Sequence, residues 1–385
     1  MPRKTGTYQS TKFRDQPIKA FVPYPLPPSS PTLQIDDAIE SLHTQAIVAL
    51  AQLNVAGSMV PDTNWFLYGF VRKEAVITSQ IEGTQATLRD VLAFEATEQS
   101  DRPEDVEEVC NYIDAIAFAR EQLAQPAGLP LGVELLSETH KILMQGTRGQ
   151  DKQPGQIRQT QNWIGGTSPT NARFVPPPPS EVGEVLEALE FWIHSEDLLP
   201  PLIRTGLAHV QFETIHPFLD GNGRIGRLLI TLLVEQMGLL DQPLLYISLA
   251  FKRDQLGYYE KLTAVRQNGD WEGWIKFFLE AVSEAALDGV RIAKELHTLI
   301  AADRQRIIDH ERSTVAAIQL LGMLPASPIT TVPAVSESLN ITAPTARKAI
   351  ELLESLEILQ ETSGKQRDRV YAYNEYMRIL TGNDE

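Results

Sequence analysis

The chain has a single cysteine, Cys110. That excludes an internal disulfide framework and any metal site built on several thiolates. Positive charge is scarce: 34 Lys and Arg against 50 Asp and Glu give a formal net charge of -16. A field of that sign repels a phosphate backbone at long range, so an anion must be held by a local concentration of donors. Long hydrophobic runs are missing too. The longest, Leu228-Leu-Ile-Thr-Leu-Leu-Val234, falls far short of the ~18 apolar residues of a spanning helix. The start, Met1-Pro-Arg-Lys-Thr-Gly-Thr, lacks the apolar core of a leader peptide. The expectation is a soluble cytoplasmic protein with no membrane partner. What is present is globular in kind. Hydrophobic residues make up 43% and charged residues 22% of 385 positions, which argues against wholesale disorder and for roughly two to three domains.

Four segments are expected. Residues 1–34 read as a proline-rich arm, because Phe21-Val-Pro-Tyr-Pro-Leu-Pro-Pro-Ser-Ser-Pro31 cannot be helical. Residues 35–110 form a helical region, 111–290 a helical core, and 291–385 a linker helix with a second small domain. Apolar residues recur at three and four spacing, as in Ile225, Leu228, Leu229, Leu232 and Leu233. One stretch breaks the pattern. From Gln153 to Pro179, short β-type runs flank a Gly/Pro/Asn-rich turn, which predicts a β-hairpin flap. In the tail, Ser313–Leu324, Val332–Leu339 and Pro344–Leu356 read as helices, and Ile358–Glu361 and Val370–Tyr373 as strands. That order is winged helix-turn-helix. The expected fold class is mainly α, a helical core with a small flap followed by that tail.

The chemistry concentrates in His216-Pro-Phe-Leu-Asp-Gly-Asn-Gly-Arg-Ile-Gly-Arg227. A helix over Leu202–Ile215 should end at His216, since Pro217 biases it away from helical geometry. Asp220-Gly-Asn-Gly223 is a tight turn, and a periodic helix begins near Arg224. A Gly-rich turn entering a helix leaves backbone N–H groups free and pointing at one centre, which is an anion site. Arg224 and Arg227 share a face of the first turn, where the macrodipole disfavours cations. Two of them there make sense if a polyphosphate sits between them. Asp220 suits a Mg²⁺ ion bridging carboxylate and phosphate oxygens. His216 brings a base to the same mouth.

This stretch matches HPFx(D/E)GNGRxxR at every defined position, and the chain from about Trp65 to Leu287 resembles the Fic-domain protein adenylyltransferases, which move AMP from ATP to a protein hydroxyl. The resemblance implies that His216 is the general base for a Ser, Thr or Tyr hydroxyl and Asp220 the Mg²⁺ ligand. It implies that Gly221, Asn222 and Gly223 form the anion hole, with Arg224 on the β-phosphate and Arg227 on the γ-phosphate. Thr78-Ser-Gln-Ile-Glu-Gly83 is similar to the family's inhibitory motif (S/T)xxxE(G/N), which implies that Glu82 pairs with Arg227 and denies it to ATP. In these terms residues 35–110 carry an inhibitory helix and 111–290 are the catalytic core.

Further roles follow from the same resemblance. Asn171, Ala172, Arg173, Phe174 and Val175 are similar to the flap edge that aligns a target segment by strand addition. Arg158 is similar to an arginine near the flap base. Tyr258 is expected to line the adenine pocket, and Gln211 to reach the adenosine end. The tail carries Arg347, Lys348, Lys365, Arg367 and Arg369, but also Glu351, Glu354, Glu357 and Glu361. DNA is therefore a less favoured partner than a protein, and a homodimer stays open. The leading expectation is an ATP- and Mg²⁺-using adenylyltransferase held off by Glu82. The alternatives are a nucleotide-sensing, DNA-binding regulator, or a related enzyme that transfers another nucleotide or removes AMP.

Overall fold

The computed structural model describes residues 3–58, 63–146 and 149–382. The chain opens with an antiparallel hairpin, β1 (Gly6–Phe13) and β2 (Gln16–Pro23), in strict register from Gly6 opposite Pro23 to Phe13 opposite Gln16. The proline-rich arm thus begins with a hairpin that was not expected from the sequence. The two-residue turn is Arg14-Asp15, both at positive φ (48° and 64°), which matches the twist of the flanking strands. Ile18 and Ala20 on β2 are buried against Val175 of the flap, so the arm is folded onto the body. The proline-dense stretch after it is non-helical, as its composition requires.

Among the described residues, eleven helices build the body: α1 (Asp37–Ser58), α2 (Thr63–Ile81), α3 (Leu88–Thr97), α4 (Pro103–Ala124), α5 (Val133–Leu143), α6 (Pro179–His194), α7 (Pro201–Ile215), α8 (Asn222–Gln236), α9 (Ser248–Arg253), α10 (Gln255–Asn268) and α11 (Trp271–Asp309). Helix α11, 39 residues long, is amphipathic. Its Trp274, Ile275, Phe278, Leu279 and Val282 are buried in the core, and α1 lies along it. Helices α7 and α8 differ in kind. They are buried nearly all round, so they form the centre of the molecule rather than a face of it. Arg224 and Arg227 therefore enter the interior with α8, and a buried guanidinium must be paired. Among the described residues no helix is long and apolar enough to cross a membrane.

The tail contains α12 (Val315–Met323), β3 (Ile329–Thr331), α13 (Val332–Ser338), α14 (Ala343–Ser355), β4 (Gln360–Glu361), β5 (Val370–Ala372) and α15 (Asn374–Thr381). The strands make an antiparallel sheet in the order β3-β5-β4. Strand β3 went unread in the sequence because three residues carry no alternation to detect. The tail packs on the body through α2, α3 and α11. A Cβ on Gly69 would lie 3.0 Å from Leu380 of α15.

Candidate functional site

Helix α7 ends at Ile215, and His216 takes the left-handed cap (φ 50°) that Pro217 helps to enforce. Its carbonyl is gripped twice, by Arg158 Nε (2.9 Å) and Asn162 Nδ2 (3.0 Å). Arg158 also donates to the carbonyl of Pro177 (2.7 Å). It is fully buried, and burial pulls its proton affinity down to about 10. Arg158 therefore ties the flap base to the backbone of His216.

The turn after His216 is pinned by side chains. Asn222 Oδ1 accepts from Phe218 N (2.8 Å) and Nδ2 donates to Phe218 O (2.9 Å). The Asn222 side chain is thus a staple for the turn, and only its backbone is left for an anion. His140 stacks on Phe218 with ring centroids 3.9 Å apart. Its Nδ1 accepts from Gly155 N (2.8 Å), so Nε2 carries the proton and donates to Asp220 O (3.0 Å). Burial keeps this imidazole neutral, its pKa pulled to about 4. Gly221 (φ 71°) then starts α8 with no side-chain cap, so the helix opens onto the cavity with its first-turn N–H groups uncapped.

A cavity of about 390 Å³ gathers His216, Asp220 to Gly223 and Arg227 with Glu82, Glu213, Tyr258 and the flap residues Arg173 and Phe174. Arg224 is buried and is not part of that lining. Both arginines are engaged by carboxylates from the N-terminal region. Arg227 Nη2 meets Glu82 Oε1 at 2.7 Å, while its Nε donates to Thr78 Oγ1 (2.7 Å) and its Nη2 to Thr78 O (3.1 Å). Burial would lower the proton affinity of Arg227, but Glu82 outweighs it and raises it. Glu82 also lies over the anion loop: a Cβ on Gly223 would come within 2.3 Å of Glu82 Oε1. Arg224 Nη1 meets Glu108 Oε1 at 2.7 Å, and Glu108 in turn accepts from Thr84.

Nδ1 of His216 lies 3.7 Å from Oε2 of Glu213, one turn earlier on α7. Burial works to raise the Glu213 pKa, but His216, His209 and Arg227 outweigh it and hold this carboxylate below its ordinary range. Asp220 is exposed, and its Oδ1 accepts only from its own following Gly221 N (2.7 Å). Among the described residues there is no cluster of three metal-ligating side chains. The exposed Asp220 carboxylate at the mouth of this cavity fits a Mg²⁺ shared with phosphate oxygens, and would not suffice for an all-protein cage.

Some expected residues are placed otherwise. Gln211 is buried away from the cavity, where Nε2 donates to Tyr24 O (2.9 Å). Five residues of helix rotate it to a different face from His216. Tyr258 reaches the cavity wall, yet it is 1% exposed, stacked on Phe251 (4.5 Å) and donating its hydroxyl to His209 Nε2 (2.9 Å). It is core, and the less buried Tyr259 beside it is the tyrosine with a surface to offer. In the flap, a single bridge joins Ile164 and Phe174. Asn171 folds back to accept from Thr167 N and Ser168 N, which shapes the turn. Val175 is buried and its carbonyl accepts from Phe21 N (2.9 Å), so that edge position is already filled by β2. Glu108, His140 and Glu213 were not singled out from the sequence. No local spacing marks them.

The site is thus a glycine-rich helix start facing His216, with Arg224 and Arg227 on the same helix, in a mainly helical protein. The Fic/DOC family N-terminal region matches residues 41–121, and the Fic/DOC family domain matches 130–234. Those two matched segments are what this chain shares with the Fic/DOC family. It is 26% identical over 262 residues to the protein adenylyltransferase Fic of Drosophila grimshawi, covering 66% of this chain and 50% of that one. It is 25% identical over the same length to that of Drosophila virilis. The chain thus spans about half the length of the curated relatives it matches. In fold it is similar to a Fic family protein from Desulfovibrio desulfuricans G20, with a TM-score of 0.56 and 20% identity, covering 89% of this chain and 97% of the other. It is also similar to Fic-1 from C. elegans, with a TM-score of 0.51 and 20% identity over 68% of this chain and 74% of that one.

Proposed function

We propose that this protein is an adenylyltransferase that moves AMP from ATP to a Ser, Thr or Tyr hydroxyl of a protein, itself included, and that Glu82 restrains it. The observation that carries the reading is convergence. His216, the uncapped start of α8 and Arg227 all line one cavity of about 390 Å³. The names of the relatives, matched over part of their length, support the same chemistry.

A target hydroxyl is not ionised at neutral pH, so attack on the α-phosphorus needs a base. Glu213 beside Nδ1 favours the tautomer protonated there, which leaves Nε2 of His216 to accept the hydroxyl proton. The new P–O bond forms as the bond to pyrophosphate breaks. Backbone N–H groups at Gly221 to Gly223 meet the charge that develops on the phosphate oxygens. Arg224 and Arg227 take the β- and γ-phosphates once their carboxylate partners let go. Asp220 would hold Mg²⁺, which supplies charge neutralisation on the phosphates when bound. The carboxylate of Glu82 lies over Gly223 and on Arg227, so it competes for the space and the cation a terminal phosphate needs.

The segments keep their proposed identities: an inhibitory region over 35–110, a catalytic core over 111–290 and a winged-helix tail within 291–385. The tail's exposed Arg347, Lys348, Lys365, Arg367 and Arg369 form a basic group in an acidic chain, but the glutamates around them leave a protein partner better supported than DNA. The test of the transferase reading is labelling with α-labelled ATP in the presence of Mg²⁺. His216→Ala removes the label while ATP binding persists, and chelation of Mg²⁺ removes it as well. Full labelling by His216→Ala overturns the assignment of the base.

A further inference from the structure

This acidic chain keeps a group of unpaired cations beside its site. Hairpin β1–β2, with its turn, carries Lys12, Arg14 and Lys19 against one acid, Asp15. The flap, residues 153–178, carries Arg158 and Arg173 and no acid. Arg158 is spent on backbone carbonyls. Lys12, Lys19 and Arg173 are exposed and have no ion-pair partner among the described residues. In the hairpin, Lys12 stands opposite Pro17, Ser10 opposite Lys19 and Tyr8 opposite Phe21. Cross-strand partners and alternate residues share a face of a ribbon. Lys12 and Lys19 therefore share a face with Tyr8 and Pro17.

That face forms one wall of a cleft of about 280 Å³, with the flap and α10 opposite. Tyr8, Pro17, Ile18 and Lys19 line it from the hairpin, and no Asp or Glu lines it. Arg173, Phe174, Thr263 and Arg266 border both this cleft and the cavity of His216, so the two are neighbours that share these side chains. Ala172 and Arg173 make no backbone hydrogen bond among the described residues, which leaves main-chain groups for an extended guest.

We propose that this cleft docks an acidic, extended segment of the target protein, whose inner end presents the hydroxyl to His216. The proposal rests on the transferase reading and adds a substrate class to it. The local cations give an acidic guest both steering and register on a protein that otherwise repels it. Two or three exposed ion pairs multiply to a preference of about tenfold.

The test uses the full chain carrying Glu82→Gly and two synthetic peptides, each with a single Thr, flanked in one by glutamates and in the other by glutamines. With α-labelled ATP at low salt, kcat/KM for the glutamate peptide exceeds that for its glutamine counterpart by about tenfold, mostly through KM, and added salt shrinks the gap. Adding Lys12→Glu and Lys19→Glu removes or reverses the preference. ATP affinity and use of the glutamine peptide stay as before. Equal use of the two peptides, including equal failure, while the enzyme still labels itself overturns the acidic cleft and leaves the transferase reading standing. Absence of label on the peptides and on the protein overturns that reading and the cleft with it.

Discussion

Removing the carboxylate of Glu82 should release the enzyme, and the structure sizes the effect. The pair with Arg227 is 2.7 Å long, with the arginine 1% and the glutamate 36% exposed. A charge-assisted contact of that length would be strong if both partners were dry. Water at Glu82 discounts it to about 1–2 kcal/mol. The two bonds from Arg227 to Thr78 survive the substitution, so the arginine remains positioned and only its competitor is lost. If the pair is what excludes the γ-phosphate, 1–2 kcal/mol translates to roughly five- to thirtyfold in the fraction of productively bound ATP. The assay is the initial rate of self-labelling with α-labelled ATP at saturating nucleotide. Glu82→Gly gives the full gain. Glu82→Gln keeps the bulk over Gly223 but loses the charge, and recovers only part of it. Rates within about twofold of the parent in both variants, with ATP still bound, would refute the competition argument, because a contact worth this much cannot be removed from a site it blocks without effect.

Two further outcomes follow from buried carboxylates. Glu213→Gln removes the charge beside His216 Nδ1 with little change of shape and lowers turnover on the order of tenfold, with KM for ATP unchanged; a loss confined to KM refutes the positioning role. Glu74 on α2 is fully buried and accepts from Ser248 N (3.2 Å) and the Ser248 hydroxyl. Burial raises its pKa to about 7. Because the folded value lies above the unfolded one, the folded state binds the extra proton, so this group's contribution is complete below pH about 4.5 and is lost as pH rises through about 7. The shift corresponds to roughly 3 kcal/mol. Glu74→Gln, neutral throughout, flattens that part of the stability–pH curve in urea unfolding, and an equal fall in both proteins refutes the assignment.

The legible parts of this molecule are those in which chemistry and chain order coincide. His216 to Arg227 lies within twelve consecutive residues, and proline and glycine there dictate a helix stop, a turn and a helix start. The helices of the core were readable from their periodicity, as were the helices Val315–Met323, Val332–Ser338 and Ala343–Ser355 of the tail. Other parts had no local mark. Glu108 sits in an acidic run on α4 and is distinguished only by Arg224 reaching it. The adjacent Tyr258 and Tyr259 look alike in the chain, and burial alone assigns one to the core. The hairpin was hidden because its turn is Arg-Asp rather than Asn-Gly, and its docking on the flap, through Phe21 N and Val175 O, joins residues far apart in the chain.

By itself, then, the sequence determined a helix stop at His216, a glycine-rich turn and a helix start carrying two arginines, because backbone conformation and helical spacing act over a few residues. It also limited what an acidic, nearly cysteine-free chain can bind. The tertiary structure alone decided which carboxylates meet those arginines, that Gln211 serves the arm and not the cavity, and that the arm walls a basic cleft beside the flap. Those are pairings between residues far apart in the chain. They depend on how the helices pack, and electrostatic contacts depend on ångströms that no spacing in one segment encodes.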